Sequence, residues 1–275
     1  MPDTAGHPLI RHALPAVFLT ILFAVRASAQ VPQPTVSPPP AEPEFLSRYD
    51  FHLTANGLLH EDDPAERFSW DTHFGGSLDL GDYVAGRASL TIDYQAVLGT
   101  EYRPFDPNQG SYILEASASG RARNTEFVGV FHHVSRHLSD RPKRVGVAWN
   151  TIGGRVLHRL KLGDTTIDAD LDVGWVVQHS FVDYTWIGSL EVQVRHELTP
   201  HVGVFAHGSG QLYGVDELLA GRSLQRGGMA DAGVRFRGGA GVLELFAGIE
   251  RRIDAYPLDQ RPQQWGLAGF RLLSR

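Results

Sequence analysis

The sequence predicts an all-β protein, a closed antiparallel transmembrane β-barrel of about twelve strands. Three observations carry this. The N-terminus has the layout of an export signal, apolar and polar residues alternate with period two along the rest of the chain, and the connections between alternating segments are by turns short and long.

The export signal comes first. Residues 1–29 divide into a polar start containing Arg11, an apolar run from Ala13 to Val25, and the small-residue site Ala27-Ser28-Ala29. That is the pattern of a secretory signal peptide. A spanning helix needs about 20 apolar residues, and this run stops sooner, at Arg26. Residues 30–46, with Pro32, Pro34 and Pro38-Pro39-Pro40, read as an extended linker, expected to be disordered, because proline donates no hydrogen bond to a sheet. The barrel is then assigned to 47–275.

Composition narrows the functional classes. The chain has 275 residues, a formal charge of -6, no cysteine and no basic cluster, so nucleic acid is excluded as a partner class. Without cysteine there is neither a lipid-anchored N-terminal thiol nor a disulfide framework, and the fold must stand by itself.

The strands follow from the period-two pattern. From Phe68 the apolar residues are even-numbered (Phe68, Trp70, Phe74, Leu78, Leu80), with Asp71, His73 and Asp79 between them. After Gly81-Asp82 the alternation resumes with Val84, Ala88, Leu90, Ile92 and Tyr94 against Arg87, Thr91 and Asp93. Strict alternation over such lengths means strand. It recurs in 112–122, 167–177, 186–195, 202–212, 230–237 and 243–250, and segments 48–58, 126–136, 145–158 and 264–273 complete twelve. In 167–177, Asp168, Asp170 and Asp172 mark the polar face, either a cation site or simply the wet side of a strand.

Connection lengths separate a membrane barrel from a soluble sandwich. The long polar ones are expected at 59–66, 99–110, 137–144, 178–184, 213–228 and 251–263, and the tight ones near Gly81, Arg123, Leu162, Leu198 and Gly238. Long outer loops alternating with short periplasmic turns are the mark of outer-membrane barrels, with the apolar face toward lipid and the charged face toward the lumen. Closure follows because an unpaired strand edge cannot be left in hydrocarbon. Tyr83, Tyr184, Trp186 and Trp265 suit either interfacial girdles or ordinary core packing. The expected location is the bacterial outer membrane, with its lipid as partner and a homo-oligomer as an open possibility.

One stretch carries chemistry. His133 and Ser135 share a face of the fifth strand, since residues two apart do so, and Asn150 on the next strand falls opposite His133 if the hairpin is centred near Arg141 and Pro142. A base beside a hydroxyl, oriented by a third polar group, is the arrangement for nucleophilic acyl transfer. Parity at the inner strand ends turns His133, Ser135 and Asn150 outward, and requires Val128, Val130, Val134 and Trp149 to face the lumen. A metal held by His132, His133, His137 and Asp140 is a second possibility; a merely solvated loop mouth is a third.

The His-x-Ser of His133 and Ser135, the Ser139-Asp140 pair and Trp149-Asn150 resemble the outer-membrane phospholipase A family, a twelve-strand barrel whose motif begins His-Gln-Ser-Asn-Gly. The resemblance implies Ser135 as nucleophile, His133 as base, Asn150 as its orienter, and calcium near Asp140. Arg136 and His137 stand where that motif has Asn-Gly. The run His133-Val134-Ser135-Arg136-His137-Leu138-Ser139-Asp140 is equally similar to an uncharacterised bacterial family with His-x-Ser-Ser-His-Leu-Gly-Asp, which implies no activity. The two functional expectations are a lipid acyl hydrolase and a non-enzymatic barrel serving as a small pore or surface scaffold.

Overall fold

A computed structural model describes residues 35–59, 63–138 and 146–274. The expected signal peptide, residues 1–29, lies outside the described residues. Twelve strands follow one another: β1 (Glu44–Leu59), β2 (Trp70–Asp82), β3 (Arg87–Gly99), β4 (Asp106–Ala122), β5 (Thr125–Leu138), β6 (Val147–Leu162), β7 (Thr165–Ser180), β8 (Tyr184–Glu197), β9 (Val202–Val215), β10 (Gln225–Arg237), β11 (Val242–Tyr256) and β12 (Arg261–Leu273). A single helical turn, α1 (Glu217–Ala220), lies between β9 and β10.

Each strand pairs antiparallel with its neighbours in sequence, and β1 closes the ring against β12, with His52 opposite Leu273 and Leu59 opposite Gly266. Closure leaves no unpaired edge. One end of the barrel carries tight turns. Arg123-Asn124 and Gly163-Asp164 link their strands with two residues each, and both Arg123 (φ 57°) and Gly163 (φ 59°) take the left-handed conformation that matches strand twist.

The two faces are sorted as the alternation requires. Ile92, Phe127, Phe131, Ile152 and Trp175 are exposed on the outside, Ile92 by 59% and Trp175 by 63%. Asp79, Arg87, Asp93, Glu115, Glu126, Arg155, Asp231, Glu244 and Arg271 are buried inside. The interior charges are paired: Arg87 bonds Asp79 and Glu126, Arg271 meets Asp231 and Glu244, and Asp93 takes hydrogen bonds from His52 and His73. Buried ions are tolerable only in such company.

The outer half of the lumen holds two clusters of packed apolar and aromatic side chains. Phe68 and Trp265 meet at 5.3 Å between ring centroids and share a cluster with Met229, Leu267 and Tyr256. Beside it Tyr184 packs edge-on against Trp149 and Tyr213, and its hydroxyl donates to Asp254 at 2.6 Å. The inner half keeps a cavity of about 180 Å³, walled by Asp168, Asp170, Glu191, Arg195, His207 and Arg271 among others.

Several boundaries differ from the sequence reading. The linker assigned to 30–46 is shortened from behind, because β1 begins at Glu44, where Phe45 pairs with Gly81. Residues 35–37 within it pack against the barrel. Val36 is buried against Val128, Val130 and Leu157 in the inner end of the lumen, the Thr35 carbonyl accepts a hydrogen bond from Arg87, and the Ser37 hydroxyl accepts one from Arg121. The expected connections 99–110, 178–184, 213–228 and 251–263 contract because β4, β7, β9, β10, β11 and β12 run further outward than their alternation, which fails where the strands roof the packed outer half. Tyr184 and Trp265 are core residues, each 2% exposed, whereas Tyr83 is exposed and Trp186 lies outside over Gly188 and Gly214.

Candidate functional site

The outward face of β5 is set by its inner end. Glu126 is fully buried and accepts hydrogen bonds from Arg87 inside the lumen, which turns Phe127 outward, and Phe131 follows two pleats later. The same parity carries His133, Ser135 and His137 to the outside in one column. Val128, Val130 and Val134 face inward, as does Trp149 of β6, all of them buried. These inward apolar side chains fill the small hydrophobic clusters that share the lumen with the ion pairs.

On β6 the exposed Ile152 and buried Arg155 fix the opposite parity, so Asn150 faces out. The ladder places Asn150 directly across from His133, and Tyr112 of β4 directly across from Ser135. Cross-strand neighbours on one face have Cβ atoms about 4.5–5.5 Å apart, close enough for these polar groups to join. His133 Nδ1 donates to Asn150 Oδ1 at 2.6 Å, and Asn150 Nδ2 donates to Gln178 Oε1 of β7 at 2.9 Å. Ser135 Oγ lies 3.0 Å from Nε2 of His137, the imidazole two residues further on. The His137 ring stands edge-on to Tyr112 at 5.3 Å.

All three expected residues therefore face outward, but the described bonds divide them, His133 joining Asn150 and Ser135 joining His137, and they bring in two residues not expected, His137 and Gln178. His137 holds the serine hydroxyl in place of His133; in the sequence it appeared only as a metal ligand, although its i+2 relation to Ser135 already put it on the same face. Gln178 had no local signal, because only the register of β6 on β7 brings it to Asn150.

His132 and His133 do not converge as two ligands of one metal. His132 points into the lumen, 3.8 Å from Glu115, while its neighbour His133 points out. Consecutive strand residues cannot join at one ion from opposite faces. No three His, Asp or Glu side chains among the described residues come together as a metal site. Asp140, the residue expected beside calcium, lies outside the described residues. Asp168, Asp170 and Asp172 form the wet face of β7, facing arginines: Asp168 pairs with Arg159 and Arg195, and Asp172 accepts from Arg155 at 2.9 Å.

A closed twelve-strand cylinder, apolar outside, charged within and tightly turned at one end, defines an integral β-barrel protein of the bacterial outer membrane. Solved structures of similar fold belong to the same class. Outer membrane phospholipase A from Escherichia coli is 12% identical, with a TM-score of 0.50 over 81% of this chain and 92% of that one. The Salmonella typhi outer membrane phospholipase dimer with bound calcium is also 12% identical, with a TM-score of 0.48 over 81% and 90%. LpxR from Salmonella typhimurium, at 12% identity, has a TM-score of 0.44 over 82% and 99%. No family model matches the chain, and no curated protein matches it in sequence.

Proposed function

We propose that this barrel is a lipid acyl hydrolase, with Ser135 as nucleophile on the outward face near the outer rim. One observation carries the reading: two hydrogen-bonded groups, Ser135 with His137 and His133 with Asn150 and Gln178, lie beside each other on the face otherwise given to Phe127, Phe131 and Ile152. Polar groups facing lipid are costly and find their reason in function. The substrate such a site meets is an ester of membrane lipid, which arrives laterally and does not need the packed lumen.

The chemistry requires a hydroxyl, a base and a means of holding the base. Ser135 supplies the first. An imidazole removes its proton as the oxygen attacks the ester carbonyl, and the alcohol departs when it receives that proton. Asn150 orients His133 through Nδ1, which leaves Nε2 of the neutral ring with its lone pair. Asn150 and the His133-Ser135 spacing are also what the sequence resemblance to the phospholipase family assigns. The described residues supply no set of calcium ligands, and no step above is routed through a metal.

The alternative is a non-enzymatic surface scaffold, and the packed outer half of the lumen favours that over a pore. Release of fatty acid from detergent-dispersed phospholipid decides between the two. Wild type should release it, and Ser135→Ala should abolish release while keeping the heat-modifiable migration of a folded barrel. Calcium and zinc belong in separate assays. Folded wild type that releases nothing under any of these conditions removes the hydrolase and leaves the scaffold.

A further inference from the structure

Ser135 stands between two imidazoles, at i−2 and i+2 on one strand, and they are held in different ways. His137 Nε2 is at 3.0 Å from Ser135 Oγ, and its ring is seated against the edge of Tyr112, the residue opposite Ser135 in the ladder. Tyr112 packs in turn on Tyr94 at 5.0 Å. The Tyr94 phenol lies over Gly110, the ladder partner of His137, where an added Cβ would meet its oxygen at 2.6 Å. The glycine lets the aromatic row close up beside His137. His133 is fixed from the other side, by the chain through Asn150 to Gln178, and its Nδ1 is committed to Asn150.

Resting on the acyl-hydrolase reading, we propose that the two imidazoles divide the reaction: His137 is the catalytic base for acylation of Ser135, and His133 is the base for hydrolysis of the acyl-serine. In the first half, the Ser135 hydroxyl proton passes to His137 Nε2 as Oγ bonds to the ester carbonyl carbon. The ester C–O bond then breaks, and His137 returns that proton to the departing alcohol. In the second half a water molecule gives a proton to His133 Nε2 and its oxygen bonds to the acyl carbon. The bond from that carbon to Ser135 Oγ breaks, and the proton on His133 goes to Oγ, releasing the fatty acid and the original enzyme. A single histidine performs both halves in the usual triad. Here one ring bonds the hydroxyl and the other is oriented by an amide.

Rapid-quench kinetics on the folded full-length barrel, with a long-chain nitrophenyl ester in mixed micelles and intact-protein mass spectrometry, test this directly. His133→Gln should release one equivalent of nitrophenol and then stall as acylated Ser135. His137→Gln should slow the burst itself by about 100- to 10,000-fold, the usual worth of a positioned base. Tyr112→Leu, which touches no reacting atom, should weaken the burst several-fold and leave hydrolysis of the preformed acyl-serine at its wild-type rate. The division is overturned if His133→Gln loses the burst as fully as Ser135→Ala while His137→Gln keeps it. It is equally overturned if neither variant accumulates acyl-protein. Wild type that shows no burst, no acylation and no fatty acid release removes the hydrolase reading itself, which distinguishes that failure from failure of the division alone.

Discussion

Arg155 and Glu115 are joined by two parallel hydrogen bonds of 2.7 Å each, from Nη1 and Nη2, reaching from β6 to β4 past the intervening β5. Both side chains are nearly sealed from solvent, and Arg155 Nε also serves Asp172 at 2.9 Å and faces Asp170 at 3.5 Å. The guanidinium thus gathers carboxylates from two strands on either side of its own, a cross-brace the backbone ladder cannot supply.

Arg155→Ala should therefore destabilise the barrel by about 3 to 5 kcal/mol, the usual cost of leaving buried charge uncompensated. Glu115→Gln should cost less, because Arg155 keeps Asp172. Equilibrium urea unfolding in lipid vesicles measures both. A loss below about 1 kcal/mol for Arg155→Ala would mean the network behaves like exposed surface pairs.

The lipid face makes a second prediction. Ile92 and Thr91 are neighbours on β3, the first exposed outside and the second lining the lumen cavity. Ile92→Arg should block assembly, since arginine at the bilayer midplane of such a barrel costs about 2 to 4 kcal/mol. Thr91→Arg should be accepted. Heat-modifiable migration of the two variants checks this, and equal tolerance would argue that no lipid meets that face.

That face assignment was legible in the sequence because a strand's period is two and one fixed residue sets every other side chain. Glu126, Phe127 and Phe131 placed His133 and Ser135 outside, two and four residues beyond Phe131 along β5. Other features were not legible, for physical reasons. Trp265 was open between girdle and core because an aromatic near a strand end suits both, and only its hydrogen bond to Glu250 and its stacking with Phe68 decide for the core. Residues 35–37 looked like linker because prolines surround them, yet three local contacts inside the lumen hold them. The partnership of Ser135 with His137 depends on side-chain rotation seated by Tyr112, which no spacing encodes.

The lodged segment leads to a third prediction. The chain has no cysteine, so Leu157→Cys places a single thiol where Val36 packs. A thiol reagent reaching the inner end should label it slowly in the full chain and quickly once residues 35–40 are deleted. Even then planar bilayers should show no wide-pore conductance, because Phe68, Met229 and Trp265 still fill the outer half. Equal labelling rates would show that the segment does not occupy the lumen.

The outer loops are tied by a charge clamp with a defined pH response. Between β1 and β2, Asp63 accepts hydrogen bonds from the Arg67 backbone nitrogen and guanidinium, and Arg67 also donates to Asp259 at 2.7 Å and stacks over Tyr256. Burial pushes the Asp63 carboxyl up, but its bonds to Arg67 outweigh that and leave it below the ordinary aspartate value of 3.8. A carboxyl lowered in the folded state stabilises that state above its unfolded value, and the contribution is lost as pH falls through the folded one. The clamp should thus hold throughout pH 5–8 and loosen only below 3.8. Asp63→Asn should loosen it at every pH. Protease nicking between β1 and β2 reads this out; a loop that opens between pH 5 and 8 would contradict the assignment.

Gln178 gives the last prediction, and it separates orientation from structure at the candidate site. Its only described task is to accept from Asn150 Nδ2 at 2.9 Å, and Asn150 in turn accepts from His133. A hydrogen bond of this kind contributes about 0.5 to 1.5 kcal/mol net, so its loss should lower turnover of a lipid ester by about 2- to 10-fold. Asn150→Ala removes the bond to the imidazole itself and should cost more, yet less than Ser135→Ala, which takes away the attacking atom. Gln178→Glu should restore much of the activity, because a carboxylate still accepts from Nδ2. Neither Gln178 variant should raise KM, since the side chain is two strands removed from Ser135. A Gln178→Ala barrel with wild-type turnover would mean that Asn150 needs no such support, and a rise confined to KM would assign Gln178 to lipid binding instead.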